Sequence, residues 1–275
     1  MKTAAEIREK IEDLSAIPTL PDVLVELLAI IDKEDVSMKQ VGEFINRDQA
    51  LSTRILKMVN SPIYGFPGRI SSVNQALMLI GLGAVKGMLM GVAIFDAMQQ
   101  TMKGLWEHSL GTAAVARLIA GKVELKDVEE ASVAGLIHDL GKVALGICYP
   151  AEYPDVLGKA RSEGVYIAEA EREFFGVDHA EAGSWMARKW NFPKNLVEAI
   201  RYHHKPSLAR ENPKLAATIH LADSIIKAMG FGFSGDAFVH DLDREAWQTL
   251  GLSDEDLLDV VTQAEEAVSG ESVTF

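Results

Sequence analysis

Cysteine is nearly absent from this sequence, which has one, Cys148, among 275 residues. A single thiol excludes a disulfide within the chain and is typical of proteins from a reducing compartment. The N-terminal residues also lack the basic start, apolar centre and small-residue cleavage site of a secretory signal. We therefore predict a cytoplasmic protein in which Cys148 is a buried, unreactive thiol.

Positive charge is also scarce. The chain has 27 lysine and arginine residues against 40 aspartate and glutamate residues, which gives a formal net charge of −13. Nucleic-acid-binding proteins concentrate basic residues on one face, whereas these are dispersed. Residues 41–58 have the spacing of a helix-turn-helix, but their apolar face is typical of a packed core. We therefore do not expect nucleic acid as the main partner.

One long apolar run has to be compared with a membrane span. Residues 77–95 are almost continuously apolar and carry Gly83, Gly87 and Gly91, a small-residue spacing found where transmembrane helices pack. Lys86 lies in the middle of the run, and the glycines at its start interrupt it early. We therefore predict a buried core helix here and expect no membrane partner.

Alternating strand patterns are almost absent, and apolar residues recur every three or four positions along nearly the whole chain. These patterns predict an all-α protein. A helix is predicted to start at residues 17–22, with Thr19 as its N-cap, and to run to about Asp32. Ser37 and Asp48 are predicted caps of the next two helices. After a turn-rich loop at residues 64–68, helices resume near residue 72.

The character of the sequence changes near residues 102–105, after which histidine appears for the first time. We place a boundary there, between an N-terminal helical lobe (residues 1–102) and a second lobe with a C-terminal helical extension (residues 103–275). No regular pattern extends from residue 230 to residue 243. Helices in the second lobe are predicted at 106–122, 128–147, 150–163, 166–175, 179–190, 194–203, 213–229 and about 253–268.

The most informative segment is AGLIHDLGK at residues 134–142, where an apolar helical run ends in His138 and Asp139. Imidazole and carboxylate groups are ligands of divalent metal ions. Adjacent residues differ by about 100° around a helix, so both reach one ion most easily at a helix end, which Gly141 supplies. Lys142 follows Asp139 by three residues, where its ammonium group either pairs with the carboxylate or reaches a substrate phosphate.

Further potential ligands are spread over other predicted helices: His108, His179, His203, His204 and Asp223. Asp223 lies in an otherwise apolar helix, where a buried carboxylate requires a cation or a strong donor. One histidine alone is typical of a helix cap or a satisfied core residue. The whole set, however, indicates a site for one or two divalent ions.

Two other histidines are less promising. His220 is one turn from Asp223 and is an alternative ligand, although a core or solvent placement is expected. His240 and Asp241 repeat the His-Asp doublet, but they lie in a polar stretch without helical periodicity. That stretch predicts a surface loop.

At these residues the chain resembles the HD superfamily of metal-dependent phosphohydrolases. That pattern is a histidine, a His-Asp doublet and a distal aspartate, here His108, His138, Asp139 and Asp223. The chain is most similar to the HDOD branch, through residues 17–21, 45–48, 56–61, 70–73, 76–77, 80–81, 135–142, 178–183 and 203–204. The resemblance covers about residues 10–230. It implies a bacterial signal-transduction protein with an N-terminal helical bundle packed on an HD-like helical bundle.

The resemblance also bears on the metal ions. In the related HD-GYP phosphodiesterases of cyclic di-GMP, histidines that match His179, His203 and His204 hold a second metal ion. One or two ions of iron, manganese, zinc, magnesium or nickel are therefore implied. The Gly-Tyr-Pro signature is missing, because residues 205–207 read KPS, and Gly104 stands where those enzymes have an additional acidic ligand. The resemblance does not extend to their substrate.

Two functions remain open on the sequence. The first is a metal-dependent phosphohydrolase of a phosphomonoester or phosphodiester, such as a phosphorylated small molecule or nucleotide, with His138, Asp139 and Lys142 as catalytic residues. The second is a non-catalytic regulatory or interaction module that keeps an HD-like pocket and binds a signalling protein. No Ser-His-Asp or Cys-His pattern and no Walker-type loop offers a competing chemistry.

Overall fold

In a computed structural model of the chain, the described residues are 3–13, 26, 30, 37–60 and 70–269. They contain no strand, which confirms the all-α prediction. The helix start predicted at residues 17–22, with Thr19 as its cap, the helix end predicted near Asp32 and the loop predicted at residues 64–68 lie outside the described residues.

Fourteen α-helices are described. They are α1 (Ala4–Glu12), α2 (Met38–Ile45), α3 (Gln49–Val59), α4 (Val73–Thr101), α5 (Leu105–Lys122), α6 (Val128–Ile137), α7 (Leu140–Cys148), α8 (Tyr153–Glu163), α9 (Ile167–Phe175), α10 (His179–Lys189), α11 (Lys194–Tyr202), α12 (Pro213–Met229), α13 (Arg244–Leu250) and α14 (Asp254–Ser269). The boundary predicted after residue 102 falls between α4 and α5, and the division into two lobes stays a prediction.

The predicted caps of α2 and α3 are confirmed. The Ser37 side chain accepts a hydrogen bond from the backbone N–H of Gln40, and the Asp48 carboxylate accepts one from that of Leu51. Each cap satisfies an N–H group that the first turn of a helix leaves without a partner.

The apolar run at residues 77–95 lies in α4. Leu77, Met88 and Leu89 are at most 1% exposed, as predicted for a core helix, whereas Met78 and Leu79 near the start of the run are 74% and 50% exposed. Gly81 has a φ of +78°, so the helical geometry is interrupted early in the run, as predicted. Among the described residues, one segment is long and apolar enough to cross a membrane by length and composition, Val128–Cys148, and 89% of that window is buried inside the protein.

The helix predicted at residues 128–147 is two helices, and the break lies at the His-Asp doublet. His138 is the C-cap of α6 and Asp139 is the N-cap of α7. Gly141 therefore lies in the first turn of α7, and its predicted role as a helix end is wrong. A Cβ atom at Gly141 would lie 1.8 Å from the carbonyl oxygen of His179. Without a side chain at this position, the start of α7 packs directly against the start of α10.

The sequence analysis missed the short helix α13. Asp243 caps it by accepting hydrogen bonds from the backbone N–H groups of Glu245 and Ala246, at 2.8 and 3.0 Å. Two turns are too few for helical periodicity to be recognised. The preceding irregular segment, residues 230–243, is held to the rest of the protein by a hydrogen bond from Phe233 N–H to the carbonyl oxygen of Gly104, at 2.9 Å.

Candidate metal centre

Three side chains from separate helices converge at the end of α6. His108 comes from the first turn of α5, His138 follows α6, and Asp223 lies in the middle of α12. His108 Nε2 is 3.0 Å from Asp223 Oδ1 and 3.4 Å from His138 Nε2. All three side chains are at most 3% exposed. Helix packing therefore brings together residues that are far apart in the sequence.

Asp139 lies between this trio and a second group of histidines. Its Oδ2 atom is 3.4 Å from His138 Nε2 and 3.7 Å from His108 Nε2. Its Oδ1 atom is 3.4 Å from His179 Nε2 and 3.9 Å from His203 Nε2. The two oxygens of one carboxylate thus face two different pairs of imidazoles.

The second group consists of His179, His203 and His204, at the start of α10 and directly after α11. His179 Nε2 is 2.9 Å from His204 Nε2, and the rings of His203 and His204 are 4.0 Å apart between centroids. One nitrogen atom from each of the three residues lies within 4.8 Å of the others. Both members of the His203-His204 doublet therefore belong to this group.

Hydrogen bonds to the far side of three rings fix their orientation. The Nδ1–H groups of His138 and His203 donate to the carbonyl oxygens of Gly135 and Ile200, each at 2.7 Å. Nδ1 of His179 is 2.5 Å from Glu171 Oε2, which also accepts from the backbone N–H of His179. Because the acceptors are oxygens without protons, each Nε2 keeps its lone pair for the interior of the site.

Several atoms of the site have no hydrogen-bond partner among the described residues, although they are buried. They are Asp139 Oδ1, His203 Nε2 and His204 Nδ1. Burying an unsatisfied polar group costs about 1–3 kcal/mol, and more for a charged one. Ligand atoms that each lie about 2.1 Å from one ion are roughly 3–3.5 Å from each other. His108 Nε2 lies at such distances from Asp223 Oδ1 and from His138 Nε2, 3.0 and 3.4 Å. The donor set therefore fits one or two divalent cations.

The surroundings favour the protonation states that metal binding needs at three of the histidines and at Asp139. Burial lowers the pKa of His108, and lowers the pKa values of His203 and His204 well below the usual range, so these rings are neutral ligands at pH 7. Burial opposes ionisation of Asp139, but the nearby His138 ring and Lys142 ammonium hold the pKa of its carboxyl well below the usual range. His138 differs, because burial is outweighed by the neighbouring Asp139 carboxylate, which raises the pKa of this ring, so a metal ion there has to displace a proton.

The comparison with known proteins decides the family. The HDOD domain family model matches residues 17–206, more than half of the chain. The chain belongs to the HDOD family. An HDOD domain protein of unknown function from Geobacter sulfurreducens has a similar crystal structure, with a TM-score of 0.70 at 26% identity over 95% of this chain and 96% of that chain.

Two curated relatives share part of their length with this HDOD chain. An uncharacterized protein of Treponema pallidum is 30% identical over 240 residues, which are 82% of this chain and 44% of that protein. Ribonuclease Y of Thermus thermophilus is 29% identical over 148 residues, which are 54% of this chain and 20% of that enzyme. The chain thus spans less than half the length of these relatives.

Lys142, predicted either to pair with Asp139 or to reach a substrate, pairs with Asp139 in the HDOD fold. Its Nζ donates to Asp139 Oδ2 at 2.6 Å, and the lysine side chain is 1% exposed. The ammonium group therefore helps to keep the central carboxylate ionised inside the core.

His220 is a buried core residue rather than a ligand, which agrees with the expected placement. Its ring is close to the carbonyl oxygen of His203, which accepts from Nδ1–H at 2.8 Å. Its Nε2 accepts from the backbone N–H of Asp243 at 3.0 Å. Both nitrogen atoms are occupied, so His220 connects the end of α11 to the start of α13.

His240 was predicted to lie on a surface loop, and the structure agrees, since residues 237–239 and 241–242 are exposed and irregular. The sequence analysis did not predict that this loop brings His240 next to His204. The residue is in an irregular segment, but it is half-buried and its ring centroid is 4.5 Å from that of His204. His204, Asp223 and His240 have potential ligand atoms within 4.8 Å of one another. Burial and the nearby Lys227 lower the pKa of His240 to about 4. The repeated His-Asp doublet was the only signal in the sequence.

A cleft of about 270 Å³ opens onto His204 and His240. Tyr166 and Tyr202 supply aromatic surface to its wall, and Lys205 is exposed there. Arg172 and Arg201 also line it, although Arg172 pairs with Asp178 at 2.5 Å and Arg201 lies 3.8 Å from Glu181. The cleft gives a ligand from solvent access to the second histidine group.

Proposed function

We propose that this HDOD protein is a metal-dependent phosphohydrolase that acts on a phosphomonoester or phosphodiester. One observation carries the proposal: the two oxygens of Asp139 face separate histidine groups, and Oδ1 is buried without a hydrogen-bond partner. A carboxylate in this position suits two neighbouring divalent ions, a common arrangement in enzymes that hydrolyse phosphate esters.

Each residue has a role in this proposal. His108, His138 and Asp223 hold one ion, His179, His203 and His204 hold the other, and Asp139 contributes to both. Lys142 keeps Asp139 ionised, and Glu171 orients His179. When bound, the ions supply a Lewis acid that activates water and offsets the charge of the phosphoryl oxygens.

Charge favours an anionic substrate. The buried carboxylates around the centre belong to Asp139, Glu171, Asp223 and Asp236, and the buried ammonium groups belong to Lys142 and Lys227. With four carboxylates and two ammonium groups, the protein gives the centre a net charge of −2. Two divalent ions would make the net charge of the centre positive. A loaded centre of this kind attracts phosphate esters.

The proposal also covers the class of phosphate ester and the cellular role of the protein. Ribonuclease Y, by its name an enzyme that cleaves RNA, supports hydrolysis of a phosphodiester. With a net charge of −13, this chain is better suited to a phosphorylated small molecule or nucleotide than to a long nucleic acid. We place the protein in the cytoplasm and in bacterial signal transduction.

One observation favours a second function, a regulatory module that binds a signalling protein and does not catalyse. His108, His138, Asp139, His179, His203 and Asp223 are at most 2% exposed, so the centre is nearly closed to solvent. A closed centre is typical of a structural metal site, whereas a catalytic site keeps an open position.

The experiment combines metal analysis with an activity panel. Protein purified without chelator is analysed for bound metal, then supplied with Mn, Fe, Zn, Mg or Ni and assayed on p-nitrophenyl phosphate and bis(p-nitrophenyl) phosphate. We expect turnover that His138→Ala and Asp139→Ala abolish and that the exposed control Asp241→Asn retains. Failure to bind any of the metals contradicts the metal centre. Full metal loading without turnover on any phosphate ester favours the regulatory module.

A further inference from the structure

The buried Lys227 and the half-buried His240 form a pair beside the metal centre, and neither has a role in binding the ions or the substrate in the proposed function. Lys227 lies on α12, one turn after Asp223, and its side chain is 5% exposed. Its Nζ is 3.0 Å from His240 Nε2 and 3.5 Å from Asp236 Oδ1. An ammonium group buried this deeply has to be matched by acceptors, and these two residues supply them.

This contact determines which nitrogen of His240 carries the proton. An ammonium group has three donors and no acceptor, so His240 Nε2 accepts the hydrogen bond with its lone pair. A neutral imidazole has one protonated nitrogen, which is then Nδ1. The Nδ1–H group has no partner among the described residues and is not among their buried unsatisfied atoms.

The ring that carries this donor lines the cleft. His240 and His204 both line the cleft, with ring centroids 4.5 Å apart. Tyr166 stacks on His240, with centroids 4.3 Å apart and an interplanar angle of 28°. Tyr166 O–H also donates to the carbonyl oxygen of Val239, at 3.4 Å. These contacts hold the ring at the wall of the cleft.

The same contact argues against a third metal ion at His240. His204, Asp223 and His240 have the spacing of metal ligands. The lone pair of His240 Nε2, however, is directed at the Lys227 ammonium, and a divalent ion there would lie next to a buried positive charge. Lys227 already provides a cation in this place, which leaves His240 free to bind a ligand through Nδ1–H.

We propose that His240 binds substrate: its Nδ1–H donates to a non-bridging oxygen of the phosphate group that enters the cleft over His204. Lys227 is the positioning residue that holds the ring in the required tautomer. This inference rests on the proposed function, because it assumes that the phosphate reaches the metal centre from this cleft. It adds a substrate-binding residue that lies outside the segment matched by the HDOD family model, residues 17–206.

The test measures binding of inorganic phosphate to the manganese-loaded full chain by isothermal titration calorimetry, together with the manganese content of each variant. A hydrogen bond to a charged group corresponds to roughly a tenfold to hundredfold change in affinity. We therefore expect His240→Ala to weaken phosphate binding by about that factor with unchanged manganese content. His240→Asn keeps a donor near the position of Nδ1 and is expected to retain more of the affinity.

Two further variants separate positioning from a general loss of structure. Lys227→Met is expected to weaken phosphate binding, and the double variant with His240→Ala to be no weaker than His240→Ala alone. Asp241→Asn is the matched control, since it changes an exposed neighbour on the same segment. Additive losses in the double variant would mean that Lys227 acts independently of His240.

The outcomes distinguish this inference from the proposed function. If the wild-type chain takes up neither manganese nor any of the other four metals, both are overturned. If it takes up metal and binds no phosphate, the role of His240 is overturned, and turnover on the phosphate esters decides the proposed function. If it binds both and His240→Ala binds phosphate equally well, only the role of His240 is overturned. Loss of one manganese equivalent in His240→Ala would identify His240 as a metal ligand instead.

Discussion

Lys142 Nζ donates to Asp139 Oδ2 at 2.6 Å, and each of these side chains is 1% exposed. The pair therefore lies wholly inside the core, where a charge without a partner is expensive. A lysine three residues after the aspartate reaches it because the first turn of α7 brings the two side chains to one face.

Removing this lysine is expected to destabilise the metal-free protein. Lys142→Met removes the ammonium partner of a buried carboxylate, and breaking a buried ion pair in this way costs up to about 3–5 kcal/mol of the free energy of unfolding. Urea denaturation in the presence of chelator measures the loss. Because a divalent ion supplies the missing positive charge, saturation with manganese should recover part of it.

The matched control is the double variant Asp139→Asn with Lys142→Met, which removes both charges. We expect the double variant to be more stable in chelator than Lys142→Met alone. Equal stability of Lys142→Met and the wild type would mean that Asp139 is protonated in the metal-free core.

The position of Asp139 between two histidine groups predicts the metal stoichiometry of three variants. His108→Ala removes a ligand of one group and is expected to retain one ion, and His179→Ala is expected to retain the other. Asp139→Ala should lower the affinity for both, because its two oxygens face both groups. Equilibrium dialysis followed by elemental analysis counts the ions. Two tightly bound ions in Asp139→Ala would exclude a shared carboxylate.

Residue types and their order predicted which side chains lie together in this centre, and their role as metal ligands stays a prediction. His108, His138, Asp139 and Asp223 converge because each projects from an otherwise apolar helix, where a polar group has to find a partner. The shared position of Asp139 was beyond prediction, since a His-Asp doublet shows only that two residues are adjacent. The distances between its oxygens and the histidines depend on how α7 packs on α10.

The residues that the sequence analysis missed lie where periodicity carries no information. His240 belongs to an irregular segment, and its placement depends on tertiary contacts with Tyr166, His204 and Lys227. Lys227 has the appearance of a cation in the last turn of a helix, a position that usually faces solvent. Only the folded chain shows that it is buried against acceptors.

The reactivity of Cys148 tests the expectation of an inert thiol. Burial raises the pKa of this thiol from 9.0 to about 11, so that very little thiolate is present at pH 8. We expect iodoacetamide to label the native protein much more slowly than the urea-unfolded protein at that pH. Fast labelling of the native chain would show that Cys148 is accessible and ionised.

The raised pKa of Cys148 also predicts that the protein loses stability in alkaline solution. The unfolded chain releases the thiol proton near pH 9, and the folded chain holds it to about pH 11. The unfolded state is therefore favoured progressively as the pH rises through that window. Cys148→Ala should reduce this alkaline loss of stability. An identical pH dependence in both proteins would contradict the shift.

The glycine at which α7 meets α10 provides a test of how packing builds the centre. At Gly141 a Cβ would lie 1.8 Å from the carbonyl oxygen of His179 and 2.6 Å from the backbone nitrogen of Gly183, neither of which a side-chain rotation can move. Gly141→Ala therefore has to push α10 away from α7, at a cost of at least about 1–3 kcal/mol. Because His179 moves with α10, the variant is also expected to lose affinity for the ion on that side of Asp139.

Gly158→Ala is the matched control, since Gly158 lies exposed in α8 with no atom within 4 Å of the added Cβ. There the substitution should stabilise the helix by about 0.5–1 kcal/mol. Thermal unfolding and manganese titration of the two variants measure both effects. A Gly141→Ala protein with wild-type stability and two bound ions would show that the close contact between α7 and α10 does not position the second histidine group.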